Sequence, residues 1–148
     1  ISNKKQNLEM AAAERADGTT ILERLDEIQR SYGLHLTSQL SFRVEDLTLI
    51  SSAMQRVRVT PPTSLAGEPV TVTDLALGSA ELPPTDGLLF RGERVRVVVR
   101  PSGTEPKLKC YLQVRLDPGA STDLDVAGTL ARGIMASARA DMAAALGL

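Results

Sequence analysis

Between positions 107 and 116 the chain alternates without interruption. Leu108, Cys110, Leu112, Val114 and Leu116 are apolar, and Lys107, Lys109, Tyr111, Gln113 and Arg115 fall on the other side. Successive side chains of a strand point to opposite faces, so this run predicts a strand with one face on a core and one in water. Upstream, residues 94–100 (RVRVVVR) are strongly β-forming, and Arg91-Gly92-Glu93 reads as a hairpin turn joining them to a brief strand over 88–90. Residues 36–44 also alternate: Leu36, Leu40, Phe42 and Val44 point one way, and Thr37, Gln39, Ser41 and Arg43 the other. Strands wet on one face need a layer over the other face.

Helical periods supply that layer. Leu22, Leu25, Ile28 and Tyr32 recur at helical spacing, with Ile21 at the edge of the stripe. Thr20 and Glu23 have capping-box spacing, and Gly33 sits where a left-handed C-terminal residue is wanted. The spacing predicts a helix over 20–32. An alanine-rich segment over 8–16 predicts another, ending at Asp17-Gly18. Leu47, Ile50, Met54 and Val57 predict a third over 45–58, stopped by Pro61-Pro62. The last helix is expected to start at a Thr122 cap after a Pro118-Gly119 turn, with Asp123 and Asp125 complementing its dipole. Its face steps through Val126, Leu130, Ile134, Ala138, Met142 and Leu146. Residues 60–67 read as a loop, Val70, Val72 and Leu75 as a short ragged strand, and 78–87 as a turn-rich connection. Two leading helices followed by β-α-β-β-β-β-α predict an α+β fold: a largely antiparallel sheet with helices packed on one face.

A chain of 148 residues suits one domain. A net charge of −1 argues against nucleic acid and anionic membranes as partners. No apolar run approaches the roughly 20 residues needed to cross a bilayer. The single cysteine, Cys110, cannot form an internal disulfide, which fits a reducing, cytoplasmic setting. Residues 1–7 (ISNKKQN) are polar, show neither a helical period nor a secretory signal, and read as a ragged end or an expression remnant. The absence of an initiator Met agrees with a chain that begins mid-protein.

One segment carries chemistry: RPSGTEPK, residues 100–107. Ser102 and Thr104 offer hydroxyl donors, and Gly103 lets the backbone approach an anion closely. Consecutive amides in such a bend can form an anion-holding nest. Arg100 offers a planar fork suited to two phosphate oxygens. Pro101 and Pro106 stiffen both ends. Lys107 and Lys109, two apart, project from one face. The same residues also fit an ordinary turn flanked by a solvated face, so residue chemistry alone leaves both readings open.

The stretch RPSGTEPKLKCY, Arg100 to Tyr111, resembles the phosphate-binding loop of the α-D-phosphohexomutases, the phosphoglucomutase/phosphomannomutase family, in their fourth and last domain. TILERLDEIQRSYG, Thr20 to Gly33, resembles the helix that ends the family's third domain. PPTDGLLF, Pro83 to Phe90, resembles the approach to the loop in the bacterial phosphomannomutase-like branch. The resemblance covers the chain from about Leu8 onward. It implies a TATA-box-binding-protein-like domain over 34–148, preceded at 8–33 by the helical tail of another mutase domain.

It also implies that Arg100, Ser102, Gly103 and Thr104 grip the phosphate of a sugar phosphate, with Lys109 as a second basic residue and Lys107 as a helper. Lys109 stands where many relatives carry arginine, a point charge in place of a fork. Glu105 would repel phosphate if it faced inward. The expectation is that it turns away, pairing with a lysine or accepting backbone hydrogen bonds.

The implied parent interconverts hexose 6-phosphate and hexose 1-phosphate through a bisphosphate intermediate. It uses Mg²⁺, with glucose or mannose 1,6-bisphosphate as activator, and its other partners are its own upstream domains. The phosphoserine, the Asp-x-Asp-x-Asp metal loop and the Gly-Glu-x-Ser sugar loop do not occur in this sequence. This segment alone is therefore expected to be inactive, with no catalytic residue and no metal ligand. Asp123 and Asp125 read as first-turn helix residues, His35 as a strand residue without ligand partners, and Cys110 as core. Two other readings stand beside the mutase clamp: a freestanding phosphate-binding or regulatory module, and a structural domain with an ordinary turn at 101–106.

Overall fold

A computed structural model describes residues 3–16, 18–44, 46–78, 83–117, 119 and 123–147. The chain forms two compact units. One comprises Ile1–Leu34 with Leu116–Gly128, the other His35–Arg115 with Thr129–Leu148.

In the first unit, α1 (Asn3–Ala16) begins inside the polar segment expected to be a ragged end. Lys, Gln, Glu, Met and Ala are good helix formers, so propensity extends the helix where no apolar stripe marks it. Asp17, expected at its end, lies outside the described residues, and Gly18 follows at φ 77°. Helix α2 (Ile21–Tyr32) starts at the expected capping box. Glu23 N–H donates to Thr20 Oγ1 at 3.2 Å, and Thr20 N–H donates to Glu23 Oε2 at 2.8 Å. Gly33 ends it at φ 91° and ψ 158°, not in the left-handed helical region but in one that only glycine readily enters. The apolar stripe of α2 is exposed, Leu22 and Tyr32 at 73% each.

The second unit holds most of the sheet. Its order is β1-β7-β6-β5-β4, with β1 (Leu34–Arg43), β4 (Thr71–Asp74), β5 (Leu88–Arg91), β6 (Val95–Pro101) and β7 (Lys107–Leu116). The pairs β4–β5, β5–β6 and β6–β7 are antiparallel. At the β1 edge, the His35 and Gln113 side chains meet at one end and Val44 N–H reaches Pro106 O at the other, so β1 also runs against β7. The alternation read from sequence becomes rows of buried side chains across the strands. Phe90 pairs with Val97, which pairs with Leu112; Leu88 pairs with Val99, which pairs with Cys110. All six are buried. Burial pushes the Cys110 thiol pKa up to about 12, the state of an inert core sulfur.

Two helices cover this face. Helix α3 (Leu47–Val59) starts at Asp46, whose carboxylate accepts from Thr48 N–H at 2.8 Å, and buries Ile50, Ala53, Met54 and Val57. Helix α4 (Leu124–Leu146) reaches β1 through Arg139, which donates to Ser38 Oγ, and meets α3 where Arg56 donates to Leu146 O at 2.9 Å. A cation on the last carbonyls of a helix also suits its dipole. The buried residues of α4 are Ala127, Ala131, Ile134, Met135, Ala138, Met142 and Leu146. Val126 and Leu130, expected on that face, are exposed. Four-residue steps overrun a 3.6-residue turn by about 40° each, so one such line cannot stay on a single face over 20 residues. The expected Thr122 cap and the Pro118 turn residue lie outside the described residues. Asp123 takes the capping place, its carboxylate accepting from Asp125 N–H and its carbonyl from Ala127 N–H.

Residues 60–67, expected to be a loop, contain part of a small hairpin. It pairs β2 (Ser64–Leu65) with β3 (Glu68–Pro69) through Ala66 (φ 50°) and Gly67 (φ 76°). The two positive φ values are those of a tight hairpin turn. The hairpin delivers Glu68 into the protein. Its buried carboxylate accepts from Arg94 N–H, Val95 N–H and Arg94 Nε at 2.9, 2.7 and 3.0 Å, tying the hairpin to the start of β6. Leu75, expected in the strand before the turn-rich connection, instead opens a 3-10 turn (Leu75–Leu77) capped by Asp74. Residues 79–82 of that connection lie outside the described residues.

Candidate functional site

The chain from β6 to β7 turns at residues 102–106. Three backbone hydrogen bonds anchor the base of this bend: Ser102 N–H to Lys107 O at 2.8 Å, Lys107 N–H to Glu105 O at 2.7 Å, and Val44 N–H to Pro106 O at 3.1 Å. They leave the tip open. The amides of Gly103, Thr104 and Glu105, and the hydroxyls of Ser102 and Thr104, bond to no described residue. Gly103 stays outside the left-handed region, and a Cβ built on it would meet nothing within 4 Å. Neither backbone strain nor internal packing therefore demands glycine there. Only something outside the loop would notice the added methyl.

The strand register sets the basic side chains. Arg100 is the cross-strand partner of Lys109, on the sheet face opposite the helices. Directly opposed side chains lie about 5 Å apart at Cβ, and like charges in that relation repel. Neither cation has a carboxylate partner among the described residues. The Arg100 guanidinium instead lies over the Tyr111 ring, 5.8 Å from its centroid. Tyr111 pairs with Val98, so this is the diagonal neighbour on the same face.

Lys107 shares that polar side but is spoken for. Its Nζ donates to Glu105 Oε1 at 2.8 Å. Glu105 also accepts from Arg43 at 3.3 Å. It thus pairs with a lysine, as expected, and with Arg43, which lies 62 positions away in the chain. The hydrogen bond and charge of Lys107, then the charges of Arg43 and Lys109, hold its carboxyl below the usual carboxylate range.

The donors do not all face one way. Ser102 lines a cavity of about 410 Å³ on the α3 side of the loop, together with Leu47, Ser51, Gln55, Asp86 and Glu105. Asp86 is held by Arg58, which bonds it at 2.9 Å and Asp74 at 2.7 Å. The next residue, Gly87, lies so close to β6 that a Cβ on it would come 3.2 Å from Val99 O and 3.4 Å from Arg100 Cβ. The 86–87 turn thus backs the strand that carries Arg100. Arg43 and the Arg58 pairs went unread in the sequence. Arg43 looks like any outward polar strand residue, and Arg58 like the last polar residue of a helix.

Among the described residues no three His, Cys, Asp or Glu side chains come together as a metal site. The described helices include none long and apolar enough to cross a membrane.

Residues 42–127 match the family model described as phosphoglucomutase/phosphomannomutase, C-terminal domain. A probable phosphomannomutase of Haemophilus influenzae is 36% identical over 102 residues, a match covering 68% of this chain. The same match covers 21% of the relative, so the chain corresponds to about a fifth of that protein's length.

Proposed function

The chain belongs to the phosphoglucomutase/phosphomannomutase family as its C-terminal domain, and from that premise we propose that the bend at 100–107 grips the substrate phosphate of a phosphohexomutase and helps close its site. The observation that carries the reading is the set of unspent donors. Three consecutive amides and two hydroxyls lie at one turn, and Arg100 and Lys109, neither with a carboxylate partner among the described residues, flank it on the adjoining strands. Charged donors bound to phosphate oxygens contribute about 1.5–3 kcal/mol each. A dianion between Arg100 and Lys109 would also relieve their mutual repulsion.

The proposed parent interconverts hexose 6-phosphate and hexose 1-phosphate through a bisphosphate. The phosphate that is not reacting must be held while the other is transferred. Binding energy collected there orients the reacting end and favours closure. Arg100 supplies the fork, Lys109 a second charge, and Ser102, Gly103 and Thr104 the neutral donors. Lys107 joins them only if it leaves Glu105.

Mg²⁺ belongs to the proposed parent reaction, but the described residues of this chain bring together no metal site, so no step here runs through it. In the same reading residues 8–33 are the tail of the preceding mutase domain, which accords with the exposed stripe on α2. Residues 34–148 are the phosphate-binding domain, the upstream domains are its partners, and the setting is cytoplasmic.

The test is an assay of the full-length enzyme with glucose and mannose phosphates. Interconversion is expected from the whole protein and none from the 148-residue chain. A full-length protein that folds and binds sugar phosphates without interconverting them would leave a binding module instead.

A further inference from the structure

Glu105 is an odd residue to find at the tip of a phosphate grip, and it is well attended. Lys107 and Arg43 both bond its Oε1, and the charge of Lys109 reaches it as well. Arg43 lies 62 positions away in sequence, at the end of β1, and is brought beside the loop by the Val44–Pro106 backbone bond. Cations from two strands thus converge on a single carboxylate whose own amide belongs to the open tip. The Arg43 and Glu105 side chains are exposed, at 69% and 42%. Exposed ion pairs of this kind are weak and exchange readily.

We propose that Glu105 is an exchangeable internal counter-anion: it holds Arg43 and Lys107 beside the empty loop and yields both to an incoming phosphate group, which makes Arg43 a further phosphate-binding residue. The inference rests on the loop being the phosphate grip proposed above. Its physical basis is competition. A phosphate dianion carries about twice the charge of a carboxylate and offers three acceptor oxygens, so it wins the shared cations. The displaced carboxylate returns to water, close to where it already stands.

The experiment titrates the 148-residue chain with inorganic phosphate at low ionic strength, for the native sequence, Glu105→Gln, Arg43→Gln, the double variant and Arg100→Ala. Glu105→Gln is expected to tighten binding roughly two- to fivefold, the scale of exposed ion pairs. Arg43→Gln is expected to cost more affinity in the Glu105→Gln background than in the native one, because there it no longer also removes a competitor's partner. All these side chains are exposed, and an amide spectrum unchanged outside the loop verifies the fold. Unchanged or weaker binding by Glu105→Gln, with native binding still dependent on Arg100, overturns the exchange and makes Glu105 a support for Lys107. Additive effects of the Arg43 and Glu105 substitutions overturn the role given to Arg43. If neither the native chain nor Glu105→Gln binds phosphate, the grip itself fails, and the exchange with it.

Discussion

In the proposed full-length mutase, replacing Arg100 with alanine is expected to lower kcat/KM for hexose phosphate by roughly 10- to 100-fold, the loss expected of one charge-assisted hydrogen-bond donor. KM rises because ground-state binding is lost, and kcat falls because the remote phosphate no longer helps orient the reacting end. Little stability goes with it. Arg100 is exposed, its stacking on Tyr111 at 5.8 Å is worth about 0.5–1 kcal/mol, and its repulsion from Lys109 disappears at the same time. Arg100→Lys keeps the charge but loses the fork, so it recovers only part of the rate. Steady-state kinetics on the three proteins, with thermal melts as control, make the comparison. Native kinetics in Arg100→Ala would leave the turn without a role in the reaction.

The largest stability effect belongs to Phe90. It is fully buried, in β5 between Val72 and Val97, and the row continues to Leu112. Phe90→Ala removes the ring and leaves a cavity that a four-residue strand paired on both sides cannot close, at a cost of about 3–5 kcal/mol. Domains of this size have roughly 5–15 kcal/mol in all, so the variant stands near the limit of folding. Urea unfolding should show a large drop in midpoint with an unchanged slope. A loss below about 1 kcal/mol, well under the range for a buried ring, would mean that the row through Phe90, Val97 and Leu112 is not the core.

The strands from 88 to 116 were legible because a period of two survives wherever one face of a sheet is wet. The same alternation places Lys107 and Lys109 together on the outer face, whereas only the register shows that Arg100 opposes Lys109 there. At the loop the residue types alone fit an ordinary turn as well as an anion site, and the run RPSGTEPKLKCY points further only through its resemblance to a family. Other features had no local signal. The 64–69 hairpin has strands of two residues and an Ala-Gly turn, too short for alternation to register. Nothing local in the sequence marks Glu68 for burial, while the fold buries it under three donors. Arg43 belongs to the loop only through a β1–β7 contact spanning 62 positions. On α4, the line of four-residue steps omits Ala127, Ala131 and Met135, small or flexible residues that the fold also buries.

An amide NMR titration of the 148-residue chain with glucose 1,6-bisphosphate bears most directly on all of this. The account predicts saturable shifts concentrated at Gly103, Thr104 and Glu105, whose N–H groups have no bond to any other described residue, with Cys110 and the core rows unmoved. A well-dispersed spectrum in which those three amides stay still as the ligand is raised would contradict it.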